Sequence, residues 1–136
     1  MQTQLRKYRV SEAAALLGVS DDTVRRWADA GRLELDAHST PALIDGVSLA
    51  ALAQELAADS ALAAAFPHSK ASARNRLTGI VTKVTRDGVM AQVELQAGPF
   101  RLVSLMSREA ADELGLEPGV LATASAKATT IVVEVP

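Results

Sequence analysis

The chain contains no cysteine, so it can build no disulfide framework, thiol nucleophile or iron–sulfur site. Histidine is nearly as scarce. His38 and His68 are the only two, too few for a zinc or catalytic-metal cluster, and no metal is expected as a bare cation. Aromatic residues amount to one Trp, one Tyr and two Phe, so any core must be aliphatic. Charge of one sign is also lacking. The formal net charge is −2, and the 14 basic residues divide evenly about residue 70, so nucleic-acid binding would have to come from a local cluster. No apolar run approaches the roughly 20 residues a membrane helix needs, and residues 1–10 are too polar and basic for a signal peptide. The expectation is therefore a cytoplasmic chain without a membrane partner. Paired carboxylates on a common face, an activated nucleophile and a histidine-bearing motif are all missing, which argues against an enzyme and against a cofactor. A length of 136 residues suits one ordinary domain or two small ones, and two small aliphatic cores would each be marginal alone.

What is present divides near residue 66. Upstream the pattern is helical; downstream it is one of short alternating strands. Pro67 stops any helix and residues 68–72 are small and polar, which predicts domains at 1–66 and 72–136 with a linker at 67–71. In the first half, Ser11 precedes an alanine-rich helix over 12–17 that Gly18 stops. Val19 turns back to the core, and Ser20 caps a second helix over 21–30, closed by Gly31. Two short helices joined by Gly18-Val19-Ser20 read as a helix-turn-helix. Val24 and Trp27 face inward, leaving Thr23, Arg25 and Arg26 outward. Leu33 and Leu35 are expected in a short strand, and Ser48 starts a third helix with Leu49, Leu52, Ala53 and Leu56 on one face.

The phrase YRVSEAAALLGVSDDTVRRWADAGRLE resembles the MerR/excisionase-like helix-turn-helix family. The resemblance implies an all-α, winged-helix-like domain whose second helix enters the DNA major groove. It assigns Ser20, Thr23, Arg25 and Arg26 to groove- or phosphate-facing positions and Arg32 to the base of the wing. Exposed arginines and hydroxyls suit phosphates and base edges. The wing departs from the family: residues 36–45 carry two acids and no arginine or lysine, which predicts weak binding by this domain alone.

In the second half, residues 77–85 alternate, with Ile80, Thr82 and Val84 on one face and Leu77, Gly79, Val81 and Lys83 on the other. Asp87-Gly88 is the strongest hairpin signal and fits a tight primed turn. Residues 89–96 alternate again, Gly98-Pro99 turns, and residues 100–105 form a third strand. Ser107 caps a helix that Gly115 stops, and residues 120–126 and 130–135 are further strands. Five strands and one short helix predict an all-β, OB-like five-stranded barrel. The segments SARNRLTGIV, LVSLMSREAADELGLEPG and ASAKATTIVV resemble, in order and spacing, the Mop domain, the molybdate-binding form of the TOBE module. The resemblance implies an intact molybdate or tungstate oxoanion as ligand, held where subunits meet. It assigns that site to Ser72, Ala73, Arg74 and Asn75, to Ser104 and Ser107, and to Lys127, Ala128 and Thr129. It also implies a homo-oligomer, a hexamer built on single Mop domains. Met106 stands where the family usually has a smaller β-branched residue.

The residue types suit that chemistry independently. A tetrahedral dianion has no proton to give at neutral pH, so its pocket must consist of donors: the charges of Arg74 and Lys127, hydroxyls, and backbone N–H groups beside small side chains. Each residue also has a plain structural reading, Ser107 as a helix cap, Asn75 as a turn residue, Lys127 as an exposed strand lysine. Two functions follow. One is a transcriptional regulator that senses molybdate and binds DNA. The other is a cytoplasmic molybdate-binding or storage protein whose N-terminal domain serves assembly or protein contacts.

Overall fold

A computed structural model describes residues 6–67 and 70–136. The chain separates into two units, Met1–Pro67 and His68–Pro136; the expected linker at 67–71 includes His68 and Ser69, which lie outside the described residues.

In the first unit the order is β1 (Lys7–Arg9), α1 (Val10–Leu17), α2 (Asp21–Asp29), β2 (Leu35–Asp36), β3 (Leu43–Asp45), α3 (Gly46–Ala58) and α4 (Ala61–Ala65). Helix α1 starts earlier than its serine suggests. Arg9 is the N-cap, and its N–H donates to the Glu12 carboxylate at 3.0 Å. At the other end Gly18 takes φ 70°, which lets the Val19 N–H reach the Ala14 carbonyl at 3.0 Å and turns the chain into α2. Ser20 caps α2, its Oγ accepting from the Thr23 N–H at 3.2 Å. Ala13, Ala14, Val24, Leu33, Ile44, Leu49 and Leu52 form the buried core, with Tyr8, Trp27 and Leu56 packed around it.

The expected all-α domain is corrected here. Three short strands form an antiparallel sheet in the order β1-β3-β2, with Ile44 of the middle strand opposite both Tyr8 and Leu35. The short strand expected at Leu33 and Leu35 is found as β2, with Leu33 in the core ahead of it, whereas β1 and β3, three residues each, are too short to display alternation. Helix α3 likewise starts at Asp45, whose carboxylate accepts from the Ser48 N–H at 2.9 Å; Ser48 lies within the first turn and accepts the Glu34 N–H instead. Ala53 is exposed, and Leu49, Leu52 and Leu56 make the inward face. Contrary to the sequence expectation, one stretch, Gly46–Ala65, is long and apolar enough by length and composition to cross a membrane. It is divided between α3 and α4 at Asp59 and Ser60, with Ser60 capping α4, and Leu49 and Leu52 lie in the core.

The second unit contains β4 (Asn75–Arg86), β5 (Met90–Ala97), β6 (Phe100–Ser107), α5 (Arg108–Glu113), β7 (Leu121–Ala126) and a 3₁₀ turn at Ala128–Thr130. The strands form one antiparallel sheet in the order β6-β5-β4-β7. On β5, Ala91, Val93, Leu95 and Ala97 are buried in strict alternation. On β4 the alternation breaks. Val81 pairs with Leu95 but Lys83 pairs with Glu94, so a bulge at Thr82 returns Val84 to the face that Val81 occupies. The sequence reading had placed those valines on opposite faces. Gly79 marks a close approach of β4 to β5: a Cβ there would run into the Gln96 carbonyl.

The hairpin exists, but its turn is not the primed one expected. Gly88 is not in the left-handed region. Asp87 precedes the two-residue loop, and its carboxylate accepts from the N–H groups of Val89 and Met90, both at 2.7 Å. Arg86 ties this hairpin to the helix, donating to Asp112, Glu117 and the Leu116 carbonyl. Ser107 caps α5 as expected, accepting from the Ala110 N–H at 3.1 Å.

The five-stranded barrel is corrected to this four-stranded curled sheet. Residues 131–136 form no strand. Val132, Val133 and Val135 are more than four-fifths exposed. A β-branched segment becomes a strand only against a free edge, and within the described residues of this chain none receives it.

Candidate functional site

Strands β4 and β7 bring two of the three expected anion-binding segments together. Asn75, the first residue of β4, is paired with Ala126, the last of β7. Ser72, Ala73 and Arg74 therefore lead into the sheet beside the point where Lys127, Ala128 and Thr129 leave it. Asn75 secures the junction, its Nδ2 donating to the Ala126 carbonyl at 3.2 Å; that commits an amide donor to positioning. After Lys127 the chain tightens. The Thr130 N–H and hydroxyl both donate to the Lys127 carbonyl, at 2.9 and 2.8 Å, and the N–H groups of Ala128 and Thr129 have no acceptor within that turn.

The junction carries two cations outside the described ion pairs of the domain. Arg86, Arg101 and Arg108 each have a carboxylate partner. Arg74 and Lys127 are exposed and have none among the described residues. Two unpaired cations beside free N–H groups and small side chains can hold an oxoanion by charge-assisted hydrogen bonds.

The third segment lies apart from the junction along the sheet. Ser104 pairs with Val93, which pairs with Val84, about 30 Å along an extended strand from Asn75. Curling of the sheet places Ser104 and Asn75 on one cavity of about 590 Å³, otherwise lined mainly by aliphatic side chains such as Val81, Leu95, Leu102, Met106 and Leu116. Ser107 pairs with Met90 at the hairpin end, and its hydroxyl accepts the α5 cap bond.

In the first unit, α2 presents Ser20, Thr23 and Arg26 in one hydrogen-bonded file. Ser20 Oγ and Thr23 Oγ1 are 3.0 Å apart, and Arg26 Nη2 donates to Thr23 Oγ1 at 3.0 Å. Arg25 is exposed, 3.6 Å from Asp22 one turn back. Arg32 is held on the domain itself, 3.6 Å from Glu55 and with its guanidinium 5.3 Å from the centre of the Trp27 ring.

Two family models match the chain, a helix-turn-helix domain over residues 8–57 and a TOBE domain over residues 71–133. The chain is a helix-turn-helix domain joined to a Mop-like TOBE domain. Among curated proteins, the molybdenum-pterin-binding protein MopA of Rhodobacter capsulatus is 40% identical over 76 residues. That match takes in 55% of this chain and 29% of the relative's length, so the chain spans less than a third of that relative. Among solved structures, a molybdate-binding protein from Sporomusa ovata is 32% identical over 48% of this chain and 98% of its own, with a TM-score of 0.47. The cytoplasmic molybdate-binding protein ModG, in a form with molybdate bound, is 39% identical over 50% of this chain and 49% of its own, with a TM-score of 0.48.

The helix-turn-helix domain contains contacts that sequence reasoning missed. The two acids of its wing are both engaged. Asp36 accepts from Lys7 Nζ at 3.2 Å and from the His38 N–H at 3.1 Å, and Asp45 caps α3. The Lys7 hydrogen bond, then that of His38, holds the Asp36 carboxyl below its ordinary value. A cation from β1 thus stands beside a wing that has none of its own, visible only once β1 and β2 are seen to flank β3. In the TOBE domain, hydrogen bonds from Met90 and then Val89 lower the Asp87 carboxyl likewise, a structural role remote from Arg74 and Lys127.

Proposed function

We propose that this chain is a cytoplasmic, non-enzymatic regulator of transcription that binds molybdate or tungstate through its TOBE domain and DNA through its helix-turn-helix domain. In this reading residues 1–66 are the DNA-binding unit, 67–71 the linker and 72–136 the oxoanion unit. Arg74 and Lys127 supply charge, Ser72, Thr129, Ser104 and Ser107 hydroxyls, and Ala73 and Ala128 room and backbone N–H groups, with Asn75 holding the junction. The observation that carries the reading is the junction itself, where Arg74 and Lys127 flank the Asn75–Ala126 pair with no carboxylate partner among the described residues. The family model and the MopA relative support the choice of anion.

The site is completed between copies. Ser107 stands at the hairpin end of β6, away from the junction, so a second copy supplies that hydroxyl, while Ser104 shares a cavity with Asn75. The exposed aliphatic tail after Ile131, together with edge strands β6 and β7, gives the copies an apolar, hydrogen-bonding surface on which to meet. A hexamer of single Mop domains is the assembly expected. An anion between copies would neutralise cations that otherwise repel. It would shift the DNA-binding heads only by as much as its affinity differs between two arrangements.

A second reading, molybdate storage with the N-terminal domain serving assembly, is favoured by the wing without arginine or lysine and by the acids Asp21, Asp22 and Asp29 on α2. Titration of the purified chain with molybdate and with sulfate, repeated with DNA from its own genomic neighbourhood, separates the two. Regulation requires retained DNA whose affinity molybdate changes. Tight molybdate binding with no DNA retained under any condition leaves storage.

A further inference from the structure

The three arginines assigned to DNA are not equivalent in the structure. Arg32 is committed to Glu55 and Trp27. Arg25 faces the carboxylate of Asp22, with the two side chains 58% and 92% exposed. An exposed pair of that kind is weak, so Arg25 can leave it for a nearby phosphate. Arg26 has no carboxylate partner among the described residues; its one contact is the neutral Thr23 hydroxyl, one turn towards the N-terminal end of α2.

That contact is itself supported. Ser20 Oγ accepts the Thr23 N–H and lies 3.0 Å from Thr23 Oγ1. The threonine hydroxyl can therefore donate to Ser20 and accept from Arg26, and it cannot rotate freely away from either. The Arg26 guanidinium is held along the helix with its charge undiminished and four of its five N–H donors unused. In a helix-turn-helix, the N-terminal part of the second helix faces base edges, and a guanidinium of fixed orientation matches the paired O6 and N7 acceptors of guanine.

We propose that Arg26 is the base-reading residue of this domain, selecting a G·C pair in the major groove, that Thr23 is its positioning residue, and that Arg25 contacts phosphate. The assignment rests on the DNA-binding reading above. It separates specificity from affinity on two adjacent side chains of the same type.

The test uses the full chain and duplexes selected by it from a randomised pool. Wild-type protein is expected to enrich a G·C position whose change to A·T weakens binding roughly 10- to 100-fold. Arg26→Lys keeps the charge and the salt dependence but loses most of that discrimination. Thr23→Val reduces it about two- to tenfold, since an unheld arginine must be ordered on binding, and Thr23→Ser restores it. Arg25→Ala lowers the salt slope by about 0.9 and leaves the discrimination intact. Discrimination unchanged in Arg26→Lys, or lost in Arg25→Ala, overturns the assignment, as does Thr23→Ser behaving like Thr23→Val. Wild-type protein that retains no duplex at low salt overturns the DNA-binding reading and this assignment with it; retention with all variants alike overturns only the assignment.

Discussion

Replacing Arg74 with alanine removes a cation of the TOBE domain that has no carboxylate partner among the described residues. Its side chain is exposed and lies outside the β4 ladder, and none of the described ion pairs includes it. Folding stability should therefore change by no more than about 0.5 kcal/mol, the usual range for a surface substitution. The effect on an anion is different in kind. A charge-assisted hydrogen bond contributes about 1.5–3 kcal/mol, so the Kd for molybdate should rise roughly 10- to 150-fold at constant melting temperature. Lys127→Ala should act similarly, and the double variant should fall short of the product, since both residues would hold the same anion. Arg101→Ala is the informative control. It removes the same unit charge from the same domain, but Arg101 is already held by Glu94. Calorimetric titration with molybdate, beside thermal melts of all four variants, decides the matter. If Arg101→Ala weakens binding as much as Arg74→Ala, the anion responds to overall charge and not to contact. If Arg74→Ala and Lys127→Ala both bind as wild type does, neither residue belongs to the site.

Removal of residues 131–136 should shift the assembly to smaller species in light scattering and weaken molybdate binding with it, because the Ser107 hydroxyl would no longer be supplied by another copy; an unchanged particle of full affinity would refute the role given to the tail. Leu52→Ala, in the core of the first unit, should cost about 2–5 kcal/mol and abolish DNA retention while molybdate affinity at saturating protein stays the same, as read by calorimetry and gel retardation. Sulfate should bind much more weakly than molybdate, since donors spaced for the longer Mo–O bonds stand too far from the smaller anion; equal calorimetric affinities would indicate a general anion site. The Asp87 carboxyl is lowered from 3.8 by its hydrogen bonds with the Met90 and Val89 N–H groups, so its contribution is fully present above that ordinary value and is lost only as pH falls through the lowered one. Amide exchange at Val89 and Met90 should accordingly stay slow down to about pH 4 and be fast at neutral pH in Asp87→Ala.

Most of the secondary structure was legible because its signals are local. Glycine at Gly18 and Gly31, capping serines at Ser20 and Ser107, and the alternation of β5 each act within a few residues, and the structure repeats them. What was missed depends on neighbours distant in sequence. The strand at Lys7–Arg9 has meaning only beside Ile44, 35 or more residues on, and without it neither the sheet nor the cation beside the wing can be inferred. The bulge at Thr82 is invisible in β4 alone, where Val81 and Val84 fall on opposite faces by counting; it is fixed by β5, whose Leu95 and Glu94 oppose Val81 and Lys83.

The expected last strand failed for a related and more informative reason. Residues 131–135 have the composition of a buried strand, and reading them as one was sound chemistry. A strand, however, is a relation between two segments, and the tail pairs with neither β6 nor β7, the two edges that its own sheet leaves open. The same holds for the candidate site. The resemblance implied three segments around one anion where subunits meet, and the fold joins two of them at the Asn75–Ala126 pair while Ser104 and Ser107 lie elsewhere along the sheet. A strand without a partner and a site whose segments the sheet does not all join, both in one domain of one chain, are the same deficit seen twice, and under the assembly proposed above one further copy supplies both.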